Sequence, residues 1–128
     1  MSFVLHLTRR QPPSKTDPWV WLWKLIEAQE HKNETSAELT AVHDALMVEA
    51  AALVAATDEV DEATIWRDGP TQHTNYHAEH AIISPDDDFV QEILDAAVRA
   101  GAQYGVTVWD MQEGVIYLPN GRRVTENC

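Results

Sequence analysis

Cysteine is nearly missing from this sequence: the one present, Cys128, is the last residue. No internal disulfide can form, and a reducing compartment such as the cytoplasm is the expected location. Glycine is also scarce. Gly101, Gly105, Gly114 and Gly121 fit neither a phosphate-binding loop nor a dinucleotide fingerprint. There is no Gly-x-Ser-x-Gly nucleophile elbow. No apolar run reaches about 18 residues, so a membrane-spanning helix is not expected. The first ten residues, MSFVLHLTRR, lack a basic stretch ahead of the apolar one and a small-residue cleavage site behind it. A secretory signal is therefore not expected.

Basic residues are the other shortage. Nine lysines and arginines stand against 21 acids, for a net charge of −12. The excess is local. Between Glu27 and Asp95, 17 acids meet only Lys32 and Arg67, whereas the first 24 residues hold Arg9, Arg10, Lys15 and Lys24 against Asp17. Such a field repels nucleic acid and anionic membranes and speeds encounter with a basic protein.

What is present fits one domain of 128 residues, long enough for a core without staples. Residues 3–8 read as a strand, and the prolines of QPPSK stop it. WVWLWK (19–24) alternates like a strand, but Asp17 as N-cap, Pro18 at the first helical position and the following LIEAQE predict a helix. Its apolar face would hold Trp19, Leu22, Trp23 and Ile26, with Trp21 and Leu25 to the side. A second helix, or a continuation, starts near Thr35, whose spacing to Glu38 is that of a capping box. Leu39, Val42, Leu46, Ala50, Leu53 and Val54 form its stripe.

Residues 63–68 and 73–83 read as strands. Ser84 and Pro85 are then expected to open a helix whose first turn takes Asp86 to Asp88, which makes those acids caps rather than a metal site. Phe89, Val90, Ile93, Leu94, Ala97 and Val98 face inward. Strands follow at 106–109 and 115–118, and Asn120-Gly121 makes a tight turn. The order predicts an α+β fold: a ferredoxin-like β-α-β-β-α-β sandwich with an extra C-terminal strand and helices on one face of a mainly antiparallel sheet.

HTNYHAEH (73–80) raises the question of a metal site. On a strand, His73, Asn75, His77 and Glu79 share one face, while Tyr76, His80 and Ile82 share the other. His73 and His77 would lie about 13 Å apart, beyond the reach of one ion. HAEH also lacks the spacing of a helical zinc motif. The expectation is a polar strand with no metal and no cofactor. Trp19, Trp23 and Trp66 are expected in the core, and Trp21 beside it.

The C-terminal third carries a resemblance. A helix ending AAVRAGAQYG leads into VTVWDMQ and then GVIYLPNG, over about residues 90–121. This pattern is similar to that of small acidic proteobacterial α+β proteins, several of them immunity proteins encoded near secreted toxins. The resemblance implies a non-enzymatic binding protein and transfers no catalytic residue.

The expected function is thus binding of a basic protein, as an immunity protein or adaptor. The expected contacts are Glu38, Asp44 and Glu49 on the long helix and Asp58, Glu59, Asp61 and Glu62 after it, with Trp21 or Tyr76 as the buried anchor. The alternative is a small-ligand or metal-binding protein that uses the His73–His80 strand.

Overall fold

A computed structural model describes residues 4–13, 15–29, 36–56, 65–68 and 79–125. The elements are β1 (Leu5–Thr8), α1 (Pro18–Gln29), α2 (Ala37–Ala56), β2 (Trp66–Asp68), β3 (His80–Pro85), a 3-10 turn (Asp87–Phe89), α3 (Val90–Tyr104), β4 (Thr107–Asp110), β5 (Val115–Tyr117) and β6 (Arg123–Thr125). The strands form an open antiparallel sheet in the order β2-β3-β1-β4-β5-β6. The α+β class is as expected from the sequence.

Local chemistry sets the helix starts. Asp17 Oδ1 accepts from the backbone N–H groups of Trp19 (3.0 Å) and Val20 (3.3 Å), which caps α1. The described residues of this region form two helices, α1 and α2. The cap of α2 is Ser36, whose Oγ accepts from Leu39 N–H at 3.2 Å. The expected cap, Thr35, is one residue too early and lies outside the described residues.

The start of α3 departs further from expectation. Ser84 and Pro85 belong to β3 instead of capping a helix. A residue before proline is pushed towards extended backbone, which suits Ser84 to a strand. Asp86 N–H donates to Ile65 C=O at 2.8 Å, and Asp86 Oδ1 accepts from Asp88 N–H at 3.1 Å. The cap is therefore Asp86, and the helix begins after the 3-10 turn. At its far end Gly105 adopts φ 76°, and the N–H groups of Gly105 and Val106 both close on Gly101 C=O at 2.9 Å. Gly101 itself packs so tightly that an added Cβ would sit 2.5 Å from Val106 O.

Instead of one extra C-terminal strand there are two. The Asn120-Gly121 turn, with Gly121 at φ 91°, returns the chain as β6 alongside β5.

The helices cover both faces of the sheet rather than one. In β1 all four residues are buried although they alternate in direction. Leu5 and Leu7 join Ala81, Ile83 and Val108 against α2 and α3, where Leu39, Val42, Leu46, Ile93 and Ala97 complete the main core. On the opposite face, Leu22 of α1 meets Trp109 and Ile116, flanked by Trp19, Trp21 and Ile26. The tryptophan-rich helix is apolar on several sides, so it can roof a sheet face of its own. It is rolled relative to expectation. Leu22 and Leu25 are its buried centre, and Trp23 is 52% exposed instead of core. Trp66 is half-buried against the main core.

By length and mean hydropathy α2 could span a bilayer, although its sequence holds no unbroken apolar run of that length. Glu38, Asp44 and Glu49 interrupt it, and Leu39, Val42, Leu46 and Ala50 are buried in the core.

Candidate functional site

The sheet face beneath α1 is unusual in its chemistry. His6, Thr8, His80, Ser84 and Thr107 are all buried there, beside Trp109. Cross-strand register creates the cluster: His6 lies opposite Ile82 and Trp109, and Thr8 opposite His80 and Thr107. His6 Nδ1 and His80 Nε2 are 2.7 Å apart, with the rings stacked at 5.0 Å. One nitrogen donates and the other accepts, so two facing N–H groups cannot coexist in this geometry. Trp109 Nε1–H donates to Thr8 Oγ1 at 3.0 Å, and Thr8 Oγ1–H donates to Arg10 C=O at 2.6 Å. Trp23 sets an edge against His6, with ring centroids 6.3 Å apart. Burial lowers the His6 pKa from 6.5 to about 4, because the charged form would lose its water. The imidazole is therefore neutral at pH 7.

His80 and Ile82 do share a face, as alternation requires. Tyr76, His73 and His77 lie outside the described residues. Glu79 precedes β3 and bonds Arg10 at 2.9 Å. No group of three or more potential metal ligands occurs among the described residues. Sequence reasoning missed His6 as the partner of His80. Its signal was a histidine inside an otherwise apolar strand, FVLHL, but the strand pairing that joins it to His80 spans 74 residues.

The expected acidic contacts divide. Glu38 reaches Arg9 at 3.4 Å, and Glu49 reaches Arg99 at 3.6 Å. These acids do have partners, which come from outside the acidic segment and were not foreseen. Exposed pairs of this kind contribute little to stability. Asp44 is exposed and bonds the neighbouring His43 at 3.1 Å. Asp58, Glu59, Asp61 and Glu62 lie outside the described residues. Trp21 is half-buried, with its ring stacked on Trp109 at 6.0 Å and 13°. Much of its surface is thus already used within the fold.

Two clefts stand out among the described residues. One, of about 390 Å³, lies between α3 and the β5–β6 hairpin, where Arg123 sits 5.3 Å over the Tyr117 ring. The other, of about 510 Å³, lies between the Gln11–Pro13 loop, the start of α1 and β6. No protein family, curated protein or solved structure matches this chain.

Proposed function

We propose that this chain is a non-enzymatic binding protein that receives a basic protein partner on the outer surface of its α2–α3 layer. The observation that carries the reading is the charge of that surface. Glu38, Asp44, Glu49, Asp88, Glu92 and Asp95 lie on the helices and the turn that opens α3, against Arg99 in α3 and Arg9 beside α2. Asp58, Glu59, Asp61 and Glu62 follow α2 in sequence and extend the same sign.

An anchor is also at hand. Val48 is 71% exposed, the highest value for any large apolar side chain among the described residues. It stands one turn after Asp44, on the same side of α2. Ala51, Ala52 and Ala55 are exposed beside it. An apolar strip rimmed by charge has the anatomy of a protein interface, the rim setting the encounter rate and the centre the affinity. Val48 replaces Trp21 as the anchor, because the Trp21 ring is stacked on Trp109.

The finer fold reading goes with this one. A β1–β2–β3–β4 core with β1 between β3 and β4, and with α2 and α3 on one face, supports a ferredoxin-like topology. In that reading α1 is an added roof on the second face, and β5 and β6 are an added hairpin. The acidic surface and the C-terminal pattern together support an immunity protein or adaptor acting in the cytoplasm.

The test is capture from a lysate of the source organism at low and at high salt. A basic partner should be retained at low salt only. Reversing Asp58, Glu59, Asp61 and Glu62 to lysine should slow its association tenfold or more. Val48→Lys should speed its dissociation. An association rate indifferent to both salt and charge reversal would reduce the acidic surface to a solubility device.

A further inference from the structure

The larger of these two clefts combines apolar lining with a polar rim. Its floor is made by Pro12, Pro18, Trp19, Leu118 and Val124, each of which is half-buried and leaves apolar surface towards the space. Its rim is polar and exposed, with Asp17 and Arg122 as its charged members. A volume of about 510 Å³ falls in the range of small-molecule sites, roughly 300–1,000 Å³.

The walls are held from behind. Trp19 packs edge-on against the buried Trp109, with ring centroids 5.4 Å apart. Thr16 N–H donates to Pro13 C=O at 3.2 Å, which closes the loop on itself. Leu118 and Arg122 are joined through the β5–β6 turn by the Leu118 N–H to Arg122 C=O bond at 2.9 Å.

The two charges are not equivalent. Asp17 is committed to α1, accepting from both Trp19 and Val20. There its negative charge meets the positive end of the helix. The backbone of Arg122 is engaged, its N–H donating to Asn120 Oδ1 at 2.9 Å. Its guanidinium takes no hydrogen bond or ion pair among the described residues. A planar guanidinium with free donors recognises a carboxylate through paired hydrogen bonds.

We propose that this cleft binds a small monocarboxylate with an aromatic or aliphatic body, the body lying on Trp19 and Val124 and the carboxylate on Arg122. The site is independent of the acidic helix surface and of any protein partner there.

The experiment uses the full chain, labelled with nitrogen-15, and three matched probe pairs: phenylacetate and phenylacetamide, benzoate and benzamide, hexanoate and hexanamide. Resonances of Trp19 Nε1–H and Val124 N–H should move with at least one acid. The matching amide should bind at least tenfold more weakly. Arg122→Gln should abolish that preference, and because Arg122 is exposed the variant should remain folded. Arg123→Gln is the control, since that guanidinium lies over Tyr117, and it should leave the preference intact. The proposal is overturned if no acid moves Trp19 and Val124, if acid and amide bind alike, or if the preference survives Arg122→Gln.

Discussion

The two faces of the sheet are made by alternate residues of the same strands, yet they are held by different forces. On one face Leu5, Leu7, Ala81, Ile83 and Val108 meet the apolar sides of α2 and α3. That face is held mainly by apolar burial; its polar exceptions are Asp110, which accepts from the Gln112 and Glu113 N–H groups, and the Trp66 Nε1–H at its edge. On the other, His6, Thr8, His80 and Thr107 are buried beneath or beside α1. Burying such groups costs free energy unless each finds a hydrogen bond. The His6–His80 and Trp109–Thr8 bonds meet that requirement in part. Thr107 Oγ1 has no hydrogen bond among the described residues. The dry face should thus respond to lost volume, and the polar face to lost partners and to pH.

Adjacent residues of β1 test that contrast most strongly. Leu7→Ala should lower the unfolding free energy by about 3 kcal/mol, through lost transfer energy and a residual cavity. Thr8→Val keeps the volume but removes the acceptor of Trp109 Nε1–H. A buried donor left alone costs about 2 kcal/mol. Urea unfolding of both variants gives the comparison. If Thr8→Val matched wild type, the hydrogen bonds of the polar face would contribute nothing net, and the two faces would differ only in composition.

The next test is acid. The unfolded chain has His6 at about 6.5 and the folded chain at about 4, so between those values the unfolded state holds more protons. Stability from this group is fully present above pH 6.5 and is lost as pH falls towards 4. The loss is up to about 3 kcal/mol. Urea midpoints between pH 7.5 and 4 should slope downward on acidification, and His6→Gln should flatten that part of the slope. Equal slopes in the two proteins would show that acid acts elsewhere. Leu7 points to the opposite face from His6, so Leu7→Ala should shift the curve down without changing this part of its shape.

How legible was this in the sequence? The dry core was largely so. Leu39, Val42, Leu46 and Ala50 follow helical spacing, and all four are buried. The capping of α1 by Asp17 was legible too, because it involves neighbours in the chain. The polar face was not. His6 and His80 are ordinary strand residues until β1 and β3 pair, and no local rule joins positions 74 residues apart. The roll of α1 was hidden for a related reason. With tryptophan or leucine at positions 19, 21, 22, 23 and 25, several faces are apolar, and only packing against Trp109 and Ile116 chooses Leu22 and Leu25. Asp86 as the cap of the 3-10 turn before α3 shows the same limit on a smaller scale. Serine, proline and three aspartates all carry start signals, and the Ile65 carbonyl that takes the Asp86 N–H is supplied by another part of the chain.

The smallest expected effect concerns Trp23, at the exposed edge of the polar face. Its ring is about half in solvent, so truncation removes only part of a buried contact. Trp23→Ala should cost about 1 kcal/mol at pH 7, less than a core deletion. Its second consequence is the more telling one. The Trp23 ring stands against His6, whose pKa is held down by burial. Removing the ring admits water and should let that pKa rise towards 6.5. The folded and unfolded values then converge, and less stability is lost on acidification. The expected result is a smaller difference between the urea midpoints at pH 7 and pH 5 in Trp23→Ala than in wild type. A difference of unchanged size would mean that the strands and the rest of α1 keep His6 dry without Trp23. The ring would then be a surface group free to serve another contact.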